Sequence, residues 1–185
     1  MTRPTATPGQ TVGPFFGYAL PYDGGHELVP SSHPGAVRLH GRVLDGDGQP
    51  VPDALLELWQ ADADGTVARE AGSLHRDGYT FTGWGRAETD AEGRYTFTTV
   101  RPGAEPGRAA FFCVTVFARG LLDRLFTRAY LPEDAAALDT DPLLASVPAD
   151  RRDTLVARPG RDGYEFDVRL QGEHETVFLT YEEQS

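Results

Sequence analysis

Two short β signals folded back on one another between Leu39 and Gln60 limit this chain more than any other feature. Leu39, Gly41 and Val43 sit two apart, as on one face of a strand. Gly46-Asp47-Gly48-Gln49-Pro50 then gathers residues that tolerate positive φ or fix it near −65°, so the chain reverses there. Ala54 to Gln60 reads as a second, largely buried strand, with Asp62, Asp64 and Gly65 closing it as a turn rather than as a carboxylate pair for catalysis or a cation.

The same alternation recurs to the end of the chain. Further β signals lie at 37–44, 94–100, 111–118, 125–130, 164–170 and 176–180. Tyr95, Phe97 and Thr99 alternate with Arg94, Thr96 and Thr98, as on a strand with one buried face. Helical periodicity is weak, and 132–147 has room for one or two turns. Residues 1–35 are rich in Pro, Gly, Thr and Ser and carry Phe15, Phe16, Tyr18 and Tyr22, which predicts an extended arm that docks by its rings. The expectation is an all-β, single-domain β-sandwich over 36–185, built of short, mostly antiparallel strands, with that N-terminal arm for subunit contact and little helix.

At 185 residues the chain is long enough for one core, burying roughly 70% of its unfolded surface without a metal or disulfide staple. Seventeen basic residues, all arginine, against 28 acidic ones leave a net charge of −11 spread along the chain. Such a surface repels nucleic acid and anionic lipid. Cys113 stands alone, so an internal disulfide is impossible. The N-terminal residues hold no apolar run of signal-peptide or membrane length, so a cytoplasmic location is expected.

Motifs for other chemistries are missing. The five histidines, His26, His33, His40, His75 and His174, show no metal-ligand spacing, and no Gly-x-Ser-x-Gly, phosphate loop or His-Glu-x-x-His occurs. A site rebuilt from His75, Glu105 and Cys113 is conceivable. The plainer reading makes Cys113 a small buried hydrophobe and Glu105 a solvated loop carboxylate.

The pattern Gly41-x-Val43-x-Asp45-x-x-Gly48-x-Pro50-Val51-Pro52-x-Ala54, followed by Trp59-Gln60-Ala61-Asp62, resembles the intradiol ring-cleaving dioxygenases. Those enzymes open catechol rings with non-haem Fe(III) held by two tyrosinates and two histidines. A hard ferric ion favours anionic oxygen, and imidazoles complete the site. The resemblance places the four ligand positions at Val67, Glu105, Phe111 and Cys113, none of which carries the required group. It therefore implies no metal, no cofactor and no catalytic residue in this chain.

Within the family, Gln10 to Phe16 and the segment Phe117-Ala118-Arg119-Gly120 through Tyr130 look like the iron-free α subunit of the members built from two unlike chains. The likeness runs from about residue 8 to 180. It implies a β-subunit partner of similar fold that holds the Fe(III), an aromatic diol substrate at a shared site, and pocket contributions from Thr11, Gly13, Pro14 and Arg128. Gly13-Pro14 offers bare, pre-bent backbone to a flat ring, Thr11 a hydroxyl, and Arg128 a partner for a carboxylate. Arg119 and Arg124 lie close enough in sequence to share that part, and Arg128 has the alternative of a structural ion pair. A transthyretin-like binding or carrier sandwich shares part of the first motif and is the competing reading. It leaves residues 8–16 and the Phe117–Gly120 segment without a purpose.

Overall fold

The computed structural model describes residues 19–69 and 76–181. Two sheets face each other, as the sequence leads one to expect. The first is built on β1 (Ala36–Leu44), flanked by β4 (Arg94–Val100) on one side and by β8 (Gly163–Glu165) and β7 (Arg158–Gly160) on the other. A further short strand, β9 (Val168–Arg169), also pairs with β1. The second runs β3 (Trp84–Glu88), β2 (Leu55–Trp59), β5 (Phe111–Phe117), β6 (Leu125–Tyr130). All pairs are antiparallel except β1 with β8 and β1 with β9, which run parallel.

Alternation decides what each sheet buries. Leu39 and Val43 point inward with Tyr95 and Phe97 of the neighbouring strand, and Phe112, Val114 and Val116 meet them from the second sheet. Each such side chain contributes about 1.5–3 kcal/mol on burial. Gly41 belongs to the inward set because a methyl there would overlap the Phe166 carbonyl. That carbonyl instead accepts the Tyr95 hydroxyl.

Two β segments differ from expectation. The run 164–170 divides into β8 and β9, because the Asp167 carboxylate takes the Arg42 N–H at 2.9 Å where a ladder bond would continue. The run 176–180 makes only a bridge between Leu179 and Phe126. Its main-chain groups are taken by side chains: the Thr127 hydroxyl donates to the Val177 carbonyl, and the Val177 N–H donates to the Thr154 hydroxyl. The sequence also gives little sign of β3, whose Gly85 and Arg86 are poor strand formers. There Gly85 lets Leu28 lie against the backbone.

The helical turns fall where 132–147 allowed them, as α1 (Ala135–Thr140) and α2 (Pro142–Ser146), followed by a 3-10 turn over Ala149–Leu155. They cover a second, smaller core of Tyr130, Leu144, Val147 and Leu155. Asp141, fully buried, is its polar centre. Its carboxylate accepts the Leu143 and Leu144 N–H groups, the Tyr130 hydroxyl and the Ala109 N–H, all within 3.2 Å. Four donors make this buried charge tenable.

Residues 1–18 of the arm lie outside the described residues. The part that is described packs on the body: the Tyr22 ring stacks on Trp84 at 6.3 Å, and Leu28 joins the main core.

Candidate functional site

Val67, Glu105, Phe111 and Cys113 come from three segments of the chain and line one cavity of about 150 Å³. Phe111 and Cys113 belong to the outward face of β5, two residues apart, while Phe112 and Val114 point into the core. Trp59 of β2 stands opposite Cys113 in the ladder and forms the next wall.

Backbone contacts bring the two loops in. The Asp62 carboxylate accepts the Asp64 and Thr66 N–H groups at 3.0 and 2.8 Å, so this acidic pair is turn chemistry. The turn carries Gly65 at φ 84° and returns the chain to pair Val67 with Ala61. The Asp62 carbonyl then accepts the Gly103 N–H at 2.7 Å. A methyl at Gly103 would strike the Gly65 nitrogen and the Ala63 carbonyl, so only glycine permits the approach. That clamp delivers Glu105 to the rim.

The lining is apolar, and its polar members are satisfied. The Gln60 amide donates to the carbonyls of Ala61 and Val100 and accepts the Thr99 hydroxyl. Glu105 pairs loosely with Arg108 at 3.8 Å. Burial pushes the Cys113 thiol up, with Arg128 opposing in part, so the sulfur is neutral at physiological pH.

A ferric ion does not fit this donor set. An isopropyl group, a phenyl ring, a neutral thiol and one ion-paired carboxylate replace the anionic oxygens and imidazoles it needs. Among the described residues, no three His, Cys, Asp or Glu side chains lie close enough to hold a metal. His75 of the conceivable rebuilt site falls outside those residues.

Arg128 borders the same region from β6, opposite Cys113 in the ladder. Its guanidinium stacks 3.9 Å above the Phe111 ring and donates to the Tyr130 hydroxyl at 3.1 Å, while its Nε is buried without a partner. Burial raises the Tyr130 phenol to about 12, against the opposing pull of Arg128. Of its neighbours, Arg119 pairs with Asp53 at 3.4 Å and Arg124 lies over Phe126. Neither takes up the Arg128 position. Thr11, Gly13 and Pro14 lie outside the described residues.

Sequence reasoning missed Asp141, which fixes Tyr130 and through it Arg128. The signal was Asp141-Pro142, a capping carboxylate followed by proline at the first helical position. It also missed a larger cleft of about 620 Å³ lined by β1 and β4 of the first sheet and by the end of β3. Arginines and carboxylates such as Arg42 and Glu88 mingle there, and Val67, Glu105, Phe111, Cys113 and Arg128 are not among its lining residues. No helix among the described residues is long and apolar enough to cross a membrane.

Comparison with known proteins agrees with this geometry. A family profile described as Dioxygenase matches residues 12–172. The chain is 43% identical over 197 residues to the protocatechuate 3,4-dioxygenase alpha chain of Burkholderia cepacia, covering 97% of this chain and 99% of that one. To the beta chain of the same enzyme from that organism it is 38% identical over 152 residues, covering 74% and 64%. Among solved structures, the dioxygenase domain of a dioxygenase carbohydrate-binding fusion from Streptomyces sp. SirexAA-E superposes with a TM-score of 0.55 at 29% identity, covering 80% of this chain and 87% of that one.

Proposed function

Because the chain belongs to the intradiol dioxygenase family, we propose that it serves as the α subunit of a protocatechuate 3,4-dioxygenase. In this reading a β subunit of similar fold holds the Fe(III), and the pair cleaves 3,4-dihydroxybenzoate with O₂ to 3-carboxy-cis,cis-muconate, a step of aromatic catabolism. Both oxygen atoms enter the product, between the two hydroxylated carbons.

One observation carries the assignment. The four positions that the resemblance matches to the family's iron ligands line a single cavity, and none of them carries a tyrosine or a histidine. Identity to an α chain over nearly the whole length supports the same reading, and a match across 12–172 leaves a transthyretin-like carrier module without support.

This chain's part is to complete the partner's pocket. Arg128 supplies a cation for the substrate carboxylate; its stacking on Phe111 holds the guanidinium plane, and its unpartnered Nε retains a donor. Thr11, Gly13 and Pro14 contribute a hydroxyl and a bare backbone edge from the arm. The assembly works in the cytoplasm and needs no cofactor bound by this chain.

Purified alone, the chain is expected to be colourless, free of iron and inactive. Co-purified with its β partner, it is expected in a complex with the red-brown tyrosinate–Fe(III) band and ring cleavage. Stoichiometric iron and turnover in the isolated chain would overturn the proposal.

A further inference from the structure

The cavity shared by Val67, Glu105, Phe111 and Cys113 has its own physical character, distinct from that of a disused metal site. Trp59 and Phe111 give it two aromatic walls, and Ala61, Ala68 and Ala109 add methyl groups between them. Its volume is about 150 Å³. An enclosed apolar cavity of about that size admits a benzene-sized guest, and this half-open one offers the same room.

The polar groups around it do not call for water or for an ion. Gln60 spends its amide on Ala61, Val100 and Thr99. The Thr82 hydroxyl is engaged by Arg76 and the Trp84 carbonyl. The Cys113 sulfur has kept its proton. One acceptor remains at the rim, the Glu105 carboxylate, with 43% of its side chain exposed and only a loose pairing to Arg108. It can take a hydrogen bond from a ring hydroxyl and opposes an anionic substituent, as does the net charge of −11.

We propose that this cavity is a binding site for a small, uncharged monocyclic aromatic molecule of phenol size, seated between Trp59 and Phe111 with any hydroxyl directed to Glu105. Entry requires no metal and no change of fold. The guest is distinguished from a carboxylated ring by charge and from a bicyclic one by volume. For seven or eight heavy atoms in a half-open apolar site, affinity is on the order of millimolar. The inference stands on the cavity alone, so it survives or fails independently of the subunit assignment.

The test uses the full chain in its native assembly. Crystals soaked in 4-bromophenol are expected to show bromine anomalous density between Trp59 and Phe111. In solution, ¹⁹F titration of 4-fluorophenol is expected to show a saturable component that Val67→Trp removes, because an indole at that exposed position lies across the opening. Should Val67→Trp fail to assemble, Ala68→Phe fills the same volume from the next position along the same loop. Reading only the component lost in these variants separates this site from any phenol bound at the partner's iron. Density in the cavity together with loss of that component establishes the site. Absence of density, absence of a component that the variants remove, or equal occupancy by 4-bromobenzoate each overturns it.

Discussion

The guanidinium of Arg128 lies 3.9 Å above the ring of Phe111, so the residue proposed to meet the substrate is braced on one that lines the neighbouring cavity. The brace continues through Tyr130 to the buried carboxylate of Asp141. A side chain with rich rotamer freedom is thereby held in one place, which lowers the entropy lost when a ligand is engaged.

Arg128→Ala is expected to raise KM for 3,4-dihydroxybenzoate in the assembled enzyme about tenfold or more, consistent with a charge-assisted bond of ~1.5–3 kcal/mol. KM for catechol, which has no carboxylate, should change far less. Steady-state kinetics with both substrates decide it, and equal effects would reduce Arg128 to scaffold.

Asp141→Ala should destabilise the chain by about 3–5 kcal/mol, because it strands the buried hydroxyl of Tyr130 and the N–H groups of Ala109, Leu143 and Leu144. Tyr130→Phe, which removes one hydroxyl and leaves the carboxylate its other donors, should cost only about 1 kcal/mol. Urea unfolding of both variants measures the contrast.

Asp53 adopts φ 83° after Pro52, a conformation that suits glycine, and one of its carboxylate oxygens is buried without a partner. Asp53→Gly is expected to stabilise the fold by about 1 kcal/mol, raising Tm by ~2–4 °C. The exposed contact with Arg119 that it gives up is worth little. A fall in Tm on a thermal melt would refute the strain.

Burial raises the phenols of Tyr130 and Tyr164 to about 12, the latter helped by a hydrogen bond to Glu133. An unfolded tyrosine titrates near ~10. Between those values the folded state binds more protons than the unfolded one, so stability is unaffected below pH ~10 and falls as pH rises toward 12. Urea midpoints measured from neutral to alkaline pH, with phenolate absorbance recorded alongside, should show unfolding and ionisation of these tyrosines together.

Phe111→His with Cys113→His should not confer iron binding, since two imidazoles alone lack the anionic oxygens that a ferric ion requires. Adding Val67→Tyr and Glu105→Tyr supplies them, because all four positions line one cavity. Metal analysis and the tyrosinate absorption band distinguish the double from the quadruple variant.

The parts of this molecule that follow from period and turn chemistry were legible. Tyr95, Phe97 and Thr99 point inward as alternation requires, and β6 occupies 125–130 as its residues suggest. Where side chains substitute for main-chain partners, the pattern misleads. Asp167 interrupts what reads as one strand, and Thr127 with Thr154 holds 176–180 without a ladder. Trp84–Glu88 is a strand because Leu28 and β2 embrace it, and its own residues announce little of that. The site was legible to the degree that counting from motifs could reach: four positions named from the chain meet at one cavity. The cavity's aromatic walls and the support from Asp141 depend on register between distant strands and on a cap that becomes visible only once its helix is placed.

The outline of that cavity is fixed by a main-chain bond, Asp62 to Gly103, and by two glycines that let the loops touch. No side chain at positions 67, 105, 111 or 113 takes part in that bond. A recess framed in this way can exchange each lining residue singly while the two loops that shape it stay in place, so its chemistry is open to change without a change of shape.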